Sequence, residues 1–317
     1  MTDTYKGIAA KELENDVLRL TFLPKYGCKL VSLIFKPTGR EFLFQSEADT
    51  LEIPPYGANF AQYDASGFDE VFPSLNACPY PEGPFAGTPV PDHGELWTLP
   101  WSSAFSPDNT SARSFVQSDR FPYTFSRAIQ LKGNEVLFEY TVENLSDASF
   151  PFIWMPHCLL ACSPYTRLLV PPHLNQIINV SHTSHHLGQW GTHHPYPVTI
   201  DSNGQQFDLS QPEPPSAQNC EDFYFTMPNT EGWCGIEHTD TGEKLLYAYD
   251  VEQVPYLGVW KSHAGFRSDY NLALKPCTGL YDDLYIAHKT CQCRTVPAQG
   301  KYSWNFKITL EGPAQPN

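Results

Sequence analysis

The sequence predicts an all-β protein, a sandwich or barrel of short strands. Three observations carry this. Apolar residues alternate with polar ones in many short runs, and most runs are bounded by Gly, Pro, Asn or Asp, the turn formers. Amphipathic helical spacing is scarce, in a chain whose 29 prolines oppose long helices.

The strand signals run the length of the chain. Leu18, Leu20 and Phe22 alternate with Arg19 and Thr21, and Leu30, Leu33 and Phe35 follow. Residues 135–142 form a longer run, and 245–249 and 256–260 are two more. Tyr302, Trp304, Phe306, Ile308 and Leu310 alternate with polar residues, the pattern of a strand buried on one face. No linker-like change of composition divides the chain, and a strong strand stands close to its end. Residues 1–317 are therefore expected to form a single domain with a large core. Residues 74–90 and 181–222 are rich in proline or polar residues and read as long loops, a kind that often carries function.

Composition excludes several functions. Lys+Arg is 20 against Asp+Glu 35, a formal net charge of −15. Such a surface repels phosphate backbones and anionic lipid, so neither nucleic acid nor membrane is expected as a partner. The first residues, Met1 to Lys6, lack the basic and apolar segments of a signal peptide, and no run approaches the roughly 20 apolar residues that span a bilayer. A soluble cytoplasmic protein is expected. The nine cysteines are scattered and odd in number, as in a reduced protein without a disulfide framework. No P-loop, nucleophile elbow, His-Glu-x-x-His or dinucleotide fingerprint occurs.

The richest chemistry lies in Pro91-Asp92-His93-Gly94-Glu95-Leu96-Trp97 and, some twenty residues earlier, in Gly67-Phe68-Asp69-Glu70-Val71-Phe72-Pro73. Imidazole and carboxylate exchange protons near neutral pH, and an indole face can stack on a sugar ring. Asp69 and Glu70 are adjacent, so on an extended chain only one can enter a pocket. His157 ends the apolar run Phe152–His157; it is either a satisfied core histidine or a strand-end group facing a cleft. His182, His185, His186, His193 and His194 crowd one loop, but no carboxylate or thiol spacing accompanies them, and no metal site is expected there.

Taken in order, these segments resemble the aldose 1-epimerase (galactose mutarotase-like) family. Leu23-Pro24-Lys25-Tyr26-Gly27-Cys28-Lys29-Leu30 is similar to its opening, and Thr38–Glu41 to the turn that follows. The two acidic segments, Trp154-Met155-Pro156-His157, Tyr256–Trp260, Leu272–Gly279 and the closing strand continue the match. The resemblance implies a β-supersandwich and the interconversion of α and β anomers of a free aldose, without cofactor or metal. It also implies a carboxylate base and a histidine acid. By position His157 is the expected acid, with His93 positioning the ring oxygen or sharing that task. Arg40, Asp69, Glu70, Glu95, Trp97 and Trp260 are expected around the sugar, with Trp154 and Arg127 as further candidates.

One position departs from the pattern. Where the family has its catalytic Glu, this chain reads Leu272-Ala273-Leu274-Lys275-Pro276. A lysine of ordinary pKa, about 10.4, takes no proton at neutral pH. Burial could depress Lys275 until it serves as the base. Another carboxylate could take over, or the chain could bind a sugar without catalysis. As a fourth alternative, Lys275 could meet the anionic group of an acidic sugar.

Overall fold

In the computed structural model, which describes residues 4–182, 184 and 186–313, three antiparallel sheets hold most of the strands. The largest has eight strands. In spatial order they are Ser102–Phe105, Ser111–Gln117, Tyr123–Lys132, Glu135–Asn144, Lys301–Glu311, Glu243–Tyr249, Trp233–His238 and Thr166–Leu169. The alternation read from the sequence sets its two faces. Val136, Phe138, Tyr140 and Val142 point inward, as do Trp304, Phe306, Ile308 and Leu310 from the next strand.

A six-stranded sheet runs through Met155–Cys158, Phe68–Val71, Lys29–Phe35, Leu18–Leu23 and Lys11–Glu14, with Arg40–Glu41 added at Lys29–Phe35. The other six-stranded sheet runs through Leu160–Ala161, Asp269–Cys277, Tyr256–Phe266, Asn219–Phe225, Gln176–Asn179 and His193–Pro195. The two sheets meet at residues 155–161, where one stretch of chain leaves the first sheet and enters the second. His157 lies on this seam.

The eight-stranded sheet covers the first six-stranded sheet with aromatic side chains. Trp154 and Trp304 meet at 4.9 Å between ring centroids, Phe68 and Phe138 at 5.9 Å, and Phe72 and Phe125 at 5.4 Å. Tilted and edge-on pairs of this kind add about 0.5–1.5 kcal/mol each beyond their buried area. One buried cluster draws residues from all three large sheets.

Most of the expected strands are present. The long loops contain more structure than their composition suggested. Within 181–222 lie the short strands His193–Pro195, Val198–Ile200 and Gln206–Asp208 and the start of Asn219–Phe225. Within 74–90, Cys78–Pro79 pairs with Pro89–Val90. Among the described residues there is one α-helix, Leu284–Lys289, capped at its N-terminus by the Asp283 carboxylate, which accepts from the Ile286 N–H at 2.9 Å. No helix among the described residues is long and apolar enough to cross a membrane.

Candidate functional site

A cavity of about 170 Å³ opens at the seam of the two six-stranded sheets. Its wall includes His93, His157, Asp222, Trp260, Lys275 and Asp282. Phe60, Asn76, Phe266 and Asn271 complete the polar and aromatic lining.

Strand register puts one wall together. Asp222 stands opposite Trp260, Gly258 opposite Lys275, and Ser262 opposite Asn271. Side chains of directly paired residues share a face, so Asp222, Trp260, Lys275 and Asn271 project from the same side of the sheet. Gly258 makes room for this. A Cβ there would lie 2.9 Å from the Tyr224 ring and 3.0 Å from Lys275 Cε. Without one, the Lys275 ammonium reaches Asp222 Oδ1 at 2.7 Å and Asp282 Oδ1 at 3.1 Å. The Tyr224 hydroxyl also donates to Asp282 Oδ1, at 2.6 Å. The adjacent acids Asp282 and Asp283 divide two tasks, the first entering the site and the second capping the helix.

The opposite wall carries the histidines. His157 pairs with Asp69 across the strands Met155–Cys158 and Phe68–Val71, and Pro156 pairs with Glu70. Alternation therefore sends Asp69 to the side of His157 and Glu70 into the core. His93 comes from a loop in which it and Gly94 both have positive φ, 59° and 70°. Its ring stacks on Phe60 at 3.8 Å and meets the His157 ring edge-on at 4.9 Å. Asp92 Oδ1 lies 2.8 Å from His93 Nδ1, while Asp92 Oδ2 accepts the Phe60 N–H at 3.0 Å. The carboxylate thus fixes both members of the stack. Trp97 locks the loop from below, donating its indole N–H to the Asp92 carbonyl at 3.0 Å.

Electrostatics separate the proton-handling groups. Burial pushes His157 well below the ordinary imidazole value, helped by His93 and by the cations of Lys275 and Lys29. Its Nδ1 is buried and makes no hydrogen bond within the protein. Burial pushes the Asp222 carboxyl well above its ordinary value, and the neighbouring Asp282 charge adds to this. Lys275 opposes that rise without reversing it. For Lys275 itself, burial works against the ammonium, but Asp222 and Asp282 outweigh it and raise its pKa. The two carboxyls thus favour the charged form of Lys275, against the effect of burial.

Several expected site residues are placed elsewhere. Arg40 forms an ion pair with Glu243 and donates to Thr241, outside the cavity lining. Glu70 is buried among Arg127 Nη1 at 2.9 Å, the Tyr140 hydroxyl at 2.8 Å and the Trp154 indole at 2.8 Å. Those bonds also place Arg127 and Trp154 in the core. Glu95 accepts from the Tyr56 and Tyr123 hydroxyls at 2.7 and 2.6 Å. Asp69 binds Lys29 at 2.6 Å. Of the expected residues, the fold brings His93, His157, Lys275 and Trp260 to the cavity; Trp97 and Asp69 support it from behind. The sequence reading missed Asp222 and Asp282. Neither sits in a segment with a recognisable spacing, and only the sheet register and the cap at Asp283 turn them to one cavity.

A larger hollow of about 590 Å³ lies over strands of the eight-stranded sheet. Its ionisable lining residues are Arg113, Arg127 and Glu139, with no imidazole. It lacks a pair of groups that could exchange protons near neutral pH.

No protein-family model matches the sequence, and no curated protein matches it. Solved structures do. A protein from Synechocystis sp. PCC 6803 superposes with a TM-score of 0.72 at 18% identity, covering 98% of this chain and 99% of its own. A galactose mutarotase related enzyme from Lactobacillus acidophilus gives 0.68 at 12% identity, covering 96% and 98%. Galactose 1-epimerase from Lactobacillus acidophilus NCFM gives 0.55 at 12% identity, covering 98% and 97%. The chain has the galactose mutarotase-like fold.

Proposed function

We propose that this protein is a carbohydrate isomerase of the aldose 1-epimerase type, with an altered set of proton-handling groups. The observation that carries the reading is the opposed pair in one small cavity, an imidazole pushed down and a carboxyl pushed up. Groups whose environments drive their pKa values apart sort themselves into base and acid. On this reading neutral His157 is the base and the protonated Asp222 carboxyl is the acid. That reverses the assignment implied by family resemblance, in which a histidine donates.

The reaction needs two proton transfers and no redox step. His157 removes the proton from the anomeric hydroxyl while Asp222 protonates the ring oxygen. The C1–O5 bond breaks, its electron pair goes to O5, and the C1 hydroxyl oxygen becomes the aldehyde carbonyl. Rotation about C1–C2 turns the other face of the aldehyde to O5. Closure returns both protons, so each group ends as it began. Lys275 and Asp282 hold Asp222 in place: one ammonium facing two carboxyls is electrically balanced when one carboxyl keeps its proton. His93 and Trp260 position the ring.

The substrate expected from this charge pattern is a neutral aldose. Lys275 is already matched by two carboxyls, which leaves no surplus positive charge for an acidic sugar. We read residues 1–317 as one domain, since a single buried cluster spans the large sheets. Cytoplasmic residence remains part of the proposal and rests on the sequence.

Polarimetry of freshly dissolved α-glucose and α-galactose tests the reading. The protein should accelerate the approach to anomeric equilibrium, and Asp222→Asn should remove most of the acceleration while circular dichroism stays unchanged. Binding of these sugars without acceleration would favour a non-catalytic carbohydrate-binding protein on the same fold.

A further inference from the structure

The back of the same sheet carries a second cluster that the proposed isomerase chemistry does not use. Alternation along Asn219–Phe225 and Tyr256–Phe266 sends Asp222 and Trp260 to the cavity and sends Glu221, Lys261 and His263 to the other face. Two segments of the long 181–222 region fold over that face and add His186 and Glu213.

The distances suit a metal ion. His186 Nε2 lies 3.1 and 3.0 Å from the two Glu213 oxygens. Ligand atoms of His186, Glu213 and Glu221 all fall within 4.8 Å of one another. His263 Nδ1 is 3.3 Å from Glu213 Oε2. Ligands at about 2.0–2.1 Å from a tetrahedral zinc ion are roughly 3.3 Å apart. His263 supplies an independent sign. Its side chain is fully buried; Nδ1 faces the Glu213 carboxylate, and Nε2 makes no hydrogen bond. Leaving a buried imidazole unsatisfied is costly, and a metal bond would satisfy it.

The surroundings complete the pattern. His186 Nδ1 faces Asp201 Oδ2 at 3.4 Å, the carboxylate–imidazole arrangement that leaves Nε2 free to coordinate. Lys261 pairs with Glu221 Oε2 at 2.6 Å, and Asn219 Nδ2 lies 3.1 Å from Glu213 Oε2 and 3.5 Å from Glu221 Oε1. One cation and one neutral amide donor already sit at these carboxylates. The three carboxylates Asp201, Glu213 and Glu221, set against Lys261 and a dication, sum to zero charge.

We propose that His186, Glu213 and Glu221, with His263 beside Glu213, bind one divalent transition-metal ion of the zinc class, which clamps the segments carrying His186 and Glu213 to the back of the sheet that carries Asp222. The histidine-rich loop shows no ligand spacing in sequence because the carboxylates lie 27 and 35 residues beyond His186 (213 − 186 and 221 − 186) and are brought in by folding. Of the other loop histidines, His194 is buried between Thr199 and the Leu187 carbonyl, His193 is exposed, and His185 lies outside the described residues. The proposal is independent of the sugar chemistry.

Chelator-treated protein titrated with zinc chloride in a calorimeter tests it. One equivalent should bind, and the region around His186 should become resistant to limited proteolysis. His186→Ala and the isosteric Glu213→Gln should each weaken zinc binding at least about 100-fold, and Asp201→Asn about 10- to 100-fold. His193→Ala, on the same loop, should change nothing. Thermal melts of the metal-free variants check that they fold, and cobalt substitution should give the visible absorption of a tetrahedral site. Absence of zinc binding at micromolar concentration, or binding that survives Glu213→Gln and His186→Ala, overturns the proposal. Loss of binding in His193→Ala does so as well, because it reports only an adventitious histidine tract.

Discussion

The rings of His93 and His157 cross at 88° with centroids 4.9 Å apart, although 64 residues separate them in the chain (157 − 93). One comes from a loop held by Asp92 and Trp97, the other from a strand at the junction of two sheets. Phe60 touches both, stacked on the first and edge-on to the second. A hollow bounded by two imidazoles on one side and a lysine between two carboxyls on the other is the basis of the predictions that follow.

Replacing His157 with Gln keeps the size of the side chain but removes the proton acceptor. Mutarotation should fall by about 10²- to 10⁴-fold, the usual range for a general base. The melting temperature should change little. Polarimetry alongside a thermal melt separates the two effects, and an unaltered rate would remove His157 from the chemistry.

Lys275→Met should be destabilising out of proportion to its size. It leaves Asp222 and Asp282 buried without their cation, and breaking such a pair costs about 3–5 kcal/mol. Adding Asp282→Asn should recover a large part of that loss, because one carboxyl can then stay protonated. Urea melts of the single and double variants check this. Equal stability of Lys275→Met and the wild type would contradict the arrangement described for these groups.

Gly94 has φ 70°, and a Cβ there would fall 2.1 Å from the Phe72 carbonyl oxygen. Gly94→Ala should therefore displace the loop that presents His93. A stability loss on the order of 2 kcal/mol is expected from the strain, together with weaker sugar binding by calorimetry. Gly39→Ala, also at positive φ but with nothing within 4 Å of its Cβ, separates backbone strain from collision.

Burial raises Asp69 from its ordinary value to about 6, against the pull of Lys29. The folded state therefore binds the proton more tightly than the unfolded chain. The contribution is fully present below about pH 4 and is lost as pH rises towards 6. A shift of this size corresponds to a loss on the order of 3 kcal/mol across that window. Asp69→Asn should flatten this part of the stability profile, measured by urea melts at steps between pH 4 and pH 7. An unchanged slope would show that Asp69 does not titrate there.

Much of the fold was legible because strand alternation is a local property. The last strand shows it plainly: Tyr302 to Leu310 alternate in sequence, and Trp304, Phe306, Ile308 and Leu310 are buried. His93 and Trp260 were legible as candidates because short segments carry them. Glu70, Glu95 and Arg40 lie outside the cavity lining, for a physical reason. A carboxylate or guanidinium looks the same in sequence whether it meets a sugar or a buried tyrosine, and partners such as Arg127, Tyr123 and Glu243 are remote in the chain. Asp222 and Asp282 were not legible at all. Their place in the cavity depends on the register between Asn219–Phe225 and its neighbours, and on which of two adjacent aspartates caps a helix.

The most direct test of the central claim is the pH dependence of kcat/KM for mutarotation. With neutral His157 accepting and protonated Asp222 donating, the rate should be flat between the depressed value of His157 and the raised value of Asp222. It should fall only at lower pH, where His157 becomes charged, and at higher pH, where Asp222 loses its proton. An alkaline limb that is kept in Asp222→Asn and lost in His157→Gln would mean that an imidazolium is the acid, and would contradict the account.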